Sequence, residues 1–299
     1  MRKIILVIIL VLLGTNILML SLLLNGNRDS SNYIPSKEID VRQPVAVINE
    51  EEIYYNEWMN YLGTHFGEEA LTQMVDRHVV SQLADQYNLS VDPGVIELEV
   101  SLLASLAGQM RQEDVVETEE EWRETIEHRL LTEKIFTRDV TISEADIESY
   151  YNTYQSQYEF SHRVEVSHIV VADQETANRI YNELEEGANF AALAREYSID
   201  EESLLNGGYL GFFTEGSSFL PDGYFEEVRG LDQFSYSEPV RVNQGFAILY
   251  LHRELPRVEL SYDQLKDHIR TKLAVEEVGE PPSTQAFWQQ LDVDWIYHR

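Results

Sequence analysis

Of the eight histidines in this sequence, His168 has the setting that most invites chemistry. It lies in Val164-Glu165-Val166-Ser167-His168-Ile169-Val170-Val171, and the two-residue period of a strand puts it on the side of Val164, Val166 and Val170. A lone histidine on an apolar strand face is more often a satisfied core residue than a working one, so its neighbours must decide. Several other chemistries are excluded. With no cysteine there is no thiolate nucleophile, no disulfide, no Cys-ligated metal and no lipid-modified cysteine. No H-E-x-x-H or comparable ligand spacing occurs and no G-x-S-x-G elbow, which removes metalloenzyme and hydrolase readings. Gly207-Gly208-x-x-Gly211 does not sit between a strand and a helix N-terminus, so it reads as a tight bend and not a phosphate loop. A net charge of -31, from 53 acidic and 22 basic residues, repels phosphate backbones and argues against a nucleic-acid partner.

The elements that must position His168 follow from periodicity. Pro44 to Ile48 and Ile53 to Tyr55 make a hairpin around Asn49. From Glu68 to Tyr87, apolar residues such as Leu71, Val75, Val79 and Leu83 recur at three- and four-residue steps, one buried helix face. Asp92-Pro93 supplies a cap and a first-turn proline for a second helix through Val95, Leu98, Leu102 and Leu106. The acidic run from Gln112 to Glu121 reads as a loop before a helix carrying Trp122, Ile126, Leu130 and Ile135. Ser143 with Asp146 opens the helix of Tyr150, Tyr151 and Tyr154.

After the His168 strand, Ala177, Ile180 and Leu184 mark a helix stopped by Gly187, and Asn189 caps a short helix carrying Phe190, Leu193 and Tyr197. Phe225 to Val228 is a helical turn, and Pro239 to Val242 and Phe246 to Leu251 are strands joined at Gln244-Gly245. Beyond Pro256, Leu265, Ile269 and Leu273 mark another helix and Pro281-Pro282 interrupts. The terminal Phe287, Trp288, Leu291 and Trp295 are expected to return to the N-terminal helices and complete their core.

A composition of 43% hydrophobic and 11% aromatic residues is ample for two compact units. Ile4 to Leu24 is an apolar run free of charge, long enough for a hydrocarbon core of about 30 Å at about 1.5 Å per residue. Arg2 and Lys3 precede it and belong on the cytoplasmic side. The expectation is a single membrane anchor with the bulk of the chain extracytoplasmic. The alternative, a cleaved signal peptide, calls for a shorter apolar core and a small-x-small site, which Leu22-Leu23-Leu24-Asn25 does not offer.

Four strings in order resemble a parvulin-type peptidyl-prolyl isomerase domain. They are Val166-Ser167-His168-Ile169-Val170, Phe190-Ala191-x-Leu193-Ala194-x-x-Tyr197-Ser198-x-Asp200, Gly207-Gly208-x-Leu210-Gly211-x-Phe213, and Ser237-Glu238-Pro239-Val240 with Gly245-Phe246-x-Ile248. The flanks resemble PrsA-like and SurA-like foldases, in which a helical chaperone domain is assembled from sequence before and after the isomerase. The resemblance implies an α+β chain: a transmembrane anchor over 1–24, a linker over 25–43, and the first part of a mainly helical SurA-like chaperone domain over 44–160. A parvulin-type domain, an antiparallel or mixed sheet with surrounding helices, then covers 161–254, and 255–299 completes the helical domain.

It further implies a foldase that catalyses cis/trans isomerisation of X-Pro bonds in unfolded or newly translocated polypeptides, with no cofactor and no metal. Such bonds interconvert in tens to hundreds of seconds because the amide must lose conjugation. A catalyst need only seat the proline ring and favour the twisted amide, about tenfold in rate for each 1.36 kcal/mol.

By the same resemblance His168 is the first active-site histidine, orienting polar groups under the substrate. Asp200 is the acidic position after the second helix, with Glu201 as rival because the loop is one residue longer. Leu210, Phe219 and Phe225 would bind substrate, with Tyr224 as a rival to Phe225. The plainer readings are a turn or cap for Asp200 and ordinary core for the phenylalanines. In two places the chain departs from the family: Ala247 stands where a second histidine is usual, and Tyr209 where an aspartate is. These support an alternative, a chaperone or holdase whose isomerase-like domain turns over weakly or not at all. A scaffold for other envelope proteins is a third reading.

Overall fold

A computed structural model describes residues 39–279 and 283–298. The apolar run of residues 4–24 and the Pro281-Pro282 interruption lie outside the described residues. Among those described, no helix is long and apolar enough to cross a membrane. The chain divides into two compact units between Leu71 and Thr72.

In the first unit β1 (Pro44–Ile48) and β2 (Glu51–Tyr54) pair antiparallel, and α1 (Tyr55–His65) follows directly. Asn49 turns the hairpin at φ 58°, a left-handed conformation that asparagine tolerates better than most residues. α2 (Gly67–Tyr87) carries the chain into the second unit.

There α3 (Pro93–Leu106), α4 (Gln112–Thr137) and α5 (Glu144–Tyr154) follow. Asp92 accepts a hydrogen bond from the Gly94 amide at 2.8 Å, and Ser143 accepts one from Asp146. The acidic run expected to be a loop is the beginning of α4. Glutamate is a good helix former, negative charge is favoured at a helix N-terminus, and Val115 is buried there, so charge density was the wrong signal.

The sheet comprises β4 (Arg163–Val171), β5 (Tyr209–Thr214), β6 (Ser235–Tyr236), β7 (Val240–Val242) and β8 (Gly245–Leu255), after a short β3 (Glu159–Phe160) that pairs with β9 (Val258–Glu259). Its order is β5-β4-β8-β6, all antiparallel, with β7 also on β8. The glycine bend read from the sequence thus continues into an edge strand, β5.

One face carries Val164, Val166, Val170, Ala247, Leu249 and Leu251 against α8 (Tyr224–Val228). The other carries Ile169, Val171 and Ile248 against α6 (Gln174–Glu185) and α7 (Phe190–Tyr197). β4 is covered on both faces, so every residue after Arg163 is buried, the polar Glu165, Ser167 and His168 included.

α9 (Tyr262–Val278) opens with a capping box between Ser261 and Gln264 and packs Leu265 and Ile269 among Val95, Leu98, Ile126 and Ile147. In α10 (Gln285–Trp288), Phe287 sits among Val79, Leu83 and Ile135.

Candidate active site

β4 sets His168 between Val166 and Val170 on the face covered by α8, and the side chain is 7% exposed. Its backbone amide donates to the Gly208 carbonyl at 2.8 Å. Gly208 has φ +82°, and a Cβ there would stand 2.1 Å from the His168 carbonyl oxygen, so only glycine fits this approach. At the end of β4 the Val170 amide donates to Ser198 Oγ and the Val170 carbonyl accepts from Ile199 at 2.8 Å. These two bonds hold the segment after α7 against the strand and bring Asp200 to the imidazole.

His168 Nε2 lies 3.0 Å from Asp200 Oδ2 and 3.1 Å from Ser203 Oγ. The Ser203 amide donates to the same carboxylate oxygen at 3.0 Å, and its hydroxyl donates to it as well. His168 Nδ1 lies 3.0 Å from the Tyr224 hydroxyl, and the two rings meet edge to face at 5.7 Å. Burial by itself raises the Asp200 carboxyl, but hydrogen bonds from Ser203 and His168 outweigh it and hold the group below the usual aspartate range. Burial, and after it the charge of Asp200, push the Tyr224 phenol above its ordinary value, so it keeps its proton.

A cavity of about 570 Å³ opens over this cluster, lined by His168, Val170, Asp200, Pro221, Tyr224 and Val242, with Arg241 of β7 and Gln244 of the β7–β8 turn at its side. It offers apolar surface for a ring next to a fixed carboxylate. Among the described residues no cluster of three or more histidine, aspartate or glutamate side chains is disposed to hold a metal ion.

His168 and Asp200 are thus brought together. Glu201 is exposed and outside the cluster. Tyr224 faces the cavity, whereas Phe225 is buried beside His162, their rings 5.2 Å apart. Leu210 is half-buried against the same apolar cluster and does not line the cavity. Phe219 is 88% exposed and not part of it either, because the loop before α8 carries its side chain to solvent. Ser203 was missed from sequence; the Asp200-x-x-Ser203 spacing, which suits a side chain capping a turn, is the signal that points to it.

Of the two departures, Ala247 is fully buried on the His168 face, paired with Val170 across the sheet. Tyr209 donates its hydroxyl to Glu165 at 2.7 Å.

Residues 170–253 match the family model described as rotamase, a PPIC-type PPIase domain. Fold, site and this match define the class: the segment is a parvulin-type peptidyl-prolyl isomerase domain. Over 256 residues the chain is 34% identical to the putative peptidyl-prolyl cis-trans isomerase YacD of Bacillus subtilis (strain 168), covering 85% of this chain and 86% of that protein. It is 32% identical over 244 residues to the foldase protein PrsA of Halalkalibacterium halodurans, covering 77% and 70%. A crystal structure of the peptidylprolyl isomerase PrsA from Bacillus cereus aligns with 86% of this chain and 95% of that one, at 23% identity and a TM-score of 0.31. The chain belongs to this family of PrsA-type foldases and peptidyl-prolyl cis-trans isomerases.

Proposed function

We propose that the isomerase domain, residues 161–254, acts on X-Pro bonds of unfolded or newly translocated polypeptides on the outer side of a membrane, held there by residues 4–24. Residues 44–160 together with 255–299 form the chaperone part that keeps such chains in reach. The observation that carries the catalytic reading is the pairing of His168 with Asp200 beside the apolar walls of Val170 and Val242. The walls seat the proline ring. Conjugation in a planar amide puts partial negative charge on the carbonyl oxygen, so a carboxylate close to it disfavours the planar form relative to the twisted one. Asp200 faces the substrate in this reading, and His168 and Ser203 keep its carboxylate ionised and aimed.

The test is a proline-peptide isomerisation assay on the full chain in detergent, run beside His168→Ala. A rate above background that drops in the variant supports the reading. No rate in the unaltered chain removes the enzyme, and a rate unaffected by the substitution removes the site. Protease accessibility of intact cells with the wall removed decides on which side of the membrane the chain lies.

Ala247 favours a second reading, a holdase with little turnover, since a buried methyl group stands where the resemblance leads one to expect a histidine. Suppression of aggregation without any X-Pro turnover would select it.

A further inference from the structure

The two ring nitrogens of His168 face partners of opposite character. On the Nε2 side stands the Asp200 carboxylate, which can only accept, and Ser203 already gives that carboxylate its hydroxyl proton. Nε2 is therefore the ring nitrogen suited to carry a proton, and in the neutral ring the Nδ1 lone pair accepts from the Tyr224 hydroxyl. β8 offers no polar side chain in exchange: His168 lies opposite Leu249, and the next pair on that face is Val170 with Ala247. The partner comes instead from α8, across the apolar layer.

We propose that Tyr224 is a positioning residue of the isomerase site, its hydroxyl fixing the tautomer and tilt of His168 and, through the ring, the aim of the Asp200 carboxylate. A tyrosine 2% exposed among Val164, Val166 and Leu249 would serve as core filling equally well as phenylalanine. Its hydroxyl, however, is buried, must be satisfied, and is satisfied by the site histidine alone among the hydrogen-bond partners seen for it. The assignment rests on the isomerase reading for its kinetic consequence, whereas the tautomer is a property of the resting protein.

The experiment uses the full chain labelled with 15N-histidine, with His168 assigned by difference from His168→Gln. The expected spectrum shows a protonated Nε2 and an unprotonated, hydrogen-bonded Nδ1. Tyr224→Phe is expected to shift the Nδ1 resonance and to lower kcat/KM roughly three- to tenfold, the range of one hydrogen bond. In a His168→Ala background it is expected to add nothing, because it acts through the ring. A proton found on Nδ1, or a Tyr224→Phe chain with unaltered spectrum and turnover, overturns the proposal. If the unaltered chain has no turnover, the isomerase reading falls, and the nitrogen spectra alone uphold or overturn the role of Tyr224. Should Tyr224→Phe fail to fold, the spectrum of the unaltered chain decides.

Discussion

Arg253 donates from Nε to Glu165 Oε2 over 2.7 Å, in an ion pair whose two side chains are sealed from solvent. The residues face each other on β4 and β8. Tyr209 donates to the other carboxylate oxygen, and Arg253 Nη2 donates to the carbonyls of Ala104 and Gly108 at the end of α3. The tyrosine at 209 therefore completes a network that ties the isomerase sheet to a helix outside it.

Removing one member of that pair leaves a buried charge without its counterpart, at a cost of about 3–5 kcal/mol. Arg253→Met is expected to lower stability by this order in chemical denaturation. Glu165→Leu combined with Arg253→Met is expected to be less damaging than Arg253→Met alone. Equal losses in the single and double variants would contradict the role given to the pair.

Gly208 and Gly211 both have positive φ, but only Gly208 would press a Cβ onto backbone, that of His168. Gly208→Ala is expected to cost about 2–4 kcal/mol from strain plus overlap and to reduce turnover by displacing His168. Gly211→Ala, with open space around it, is expected to cost about 1–2 kcal/mol from backbone strain and to spare the site. Melting curves and X-Pro assays of the two variants side by side provide the check.

His252 is buried, 2.7 Å from Ser167 Oγ through Nε2, and burial followed by the charge of Arg253 lowers its pKa from 6.5 to about 4. Between those values the unfolded chain binds a proton that the folded chain does not. Stability therefore rises with pH across this window and is lost as pH falls from 6.5 towards 4, by up to about 1.4 kcal/mol per pH unit. His252→Gln is expected to remove that share of the slope, read from denaturation midpoints at pH 4.5, 5.5 and 6.5. An unaltered slope would mean that His252 titrates normally.

Asp200→Asn keeps the shape of the site but replaces the ionised acceptor of His168 and Ser203. A loss of roughly tenfold in kcat/KM is expected. Phe219→Ala, at an exposed position away from the cavity, is expected to stay within about twofold of the unaltered chain. A large effect at Phe219 would place the proline seat elsewhere.

Sequence by itself determined the strand around His168 and the helices with their caps at Asp92, Ser143 and Asn189, because period and capping are written in neighbouring residues, and its four ordered motif strings carried the resemblance to the family. It also placed His168 on the valine side of its strand, whereas the contact of that ring with Asp200 rather than Glu201 came from the fold. It did not determine β5 or β6, short edge strands that exist because a longer neighbour offers them a ladder. Nor did it choose between Tyr224 and Phe225. One step along a helix turns a side chain by about 100°, and the rotation of α8 is set by its left-handed start at Gly223 and its packing on the sheet. Tertiary structure alone decided that Phe219 faces solvent, that Ser203 and Tyr224 complete the surroundings of His168, and that Tyr209 meets Glu165. Those partners lie 35, 56 and 44 residues apart in the chain, and such pairs become neighbours only when the buried faces of strand and helix close on one another.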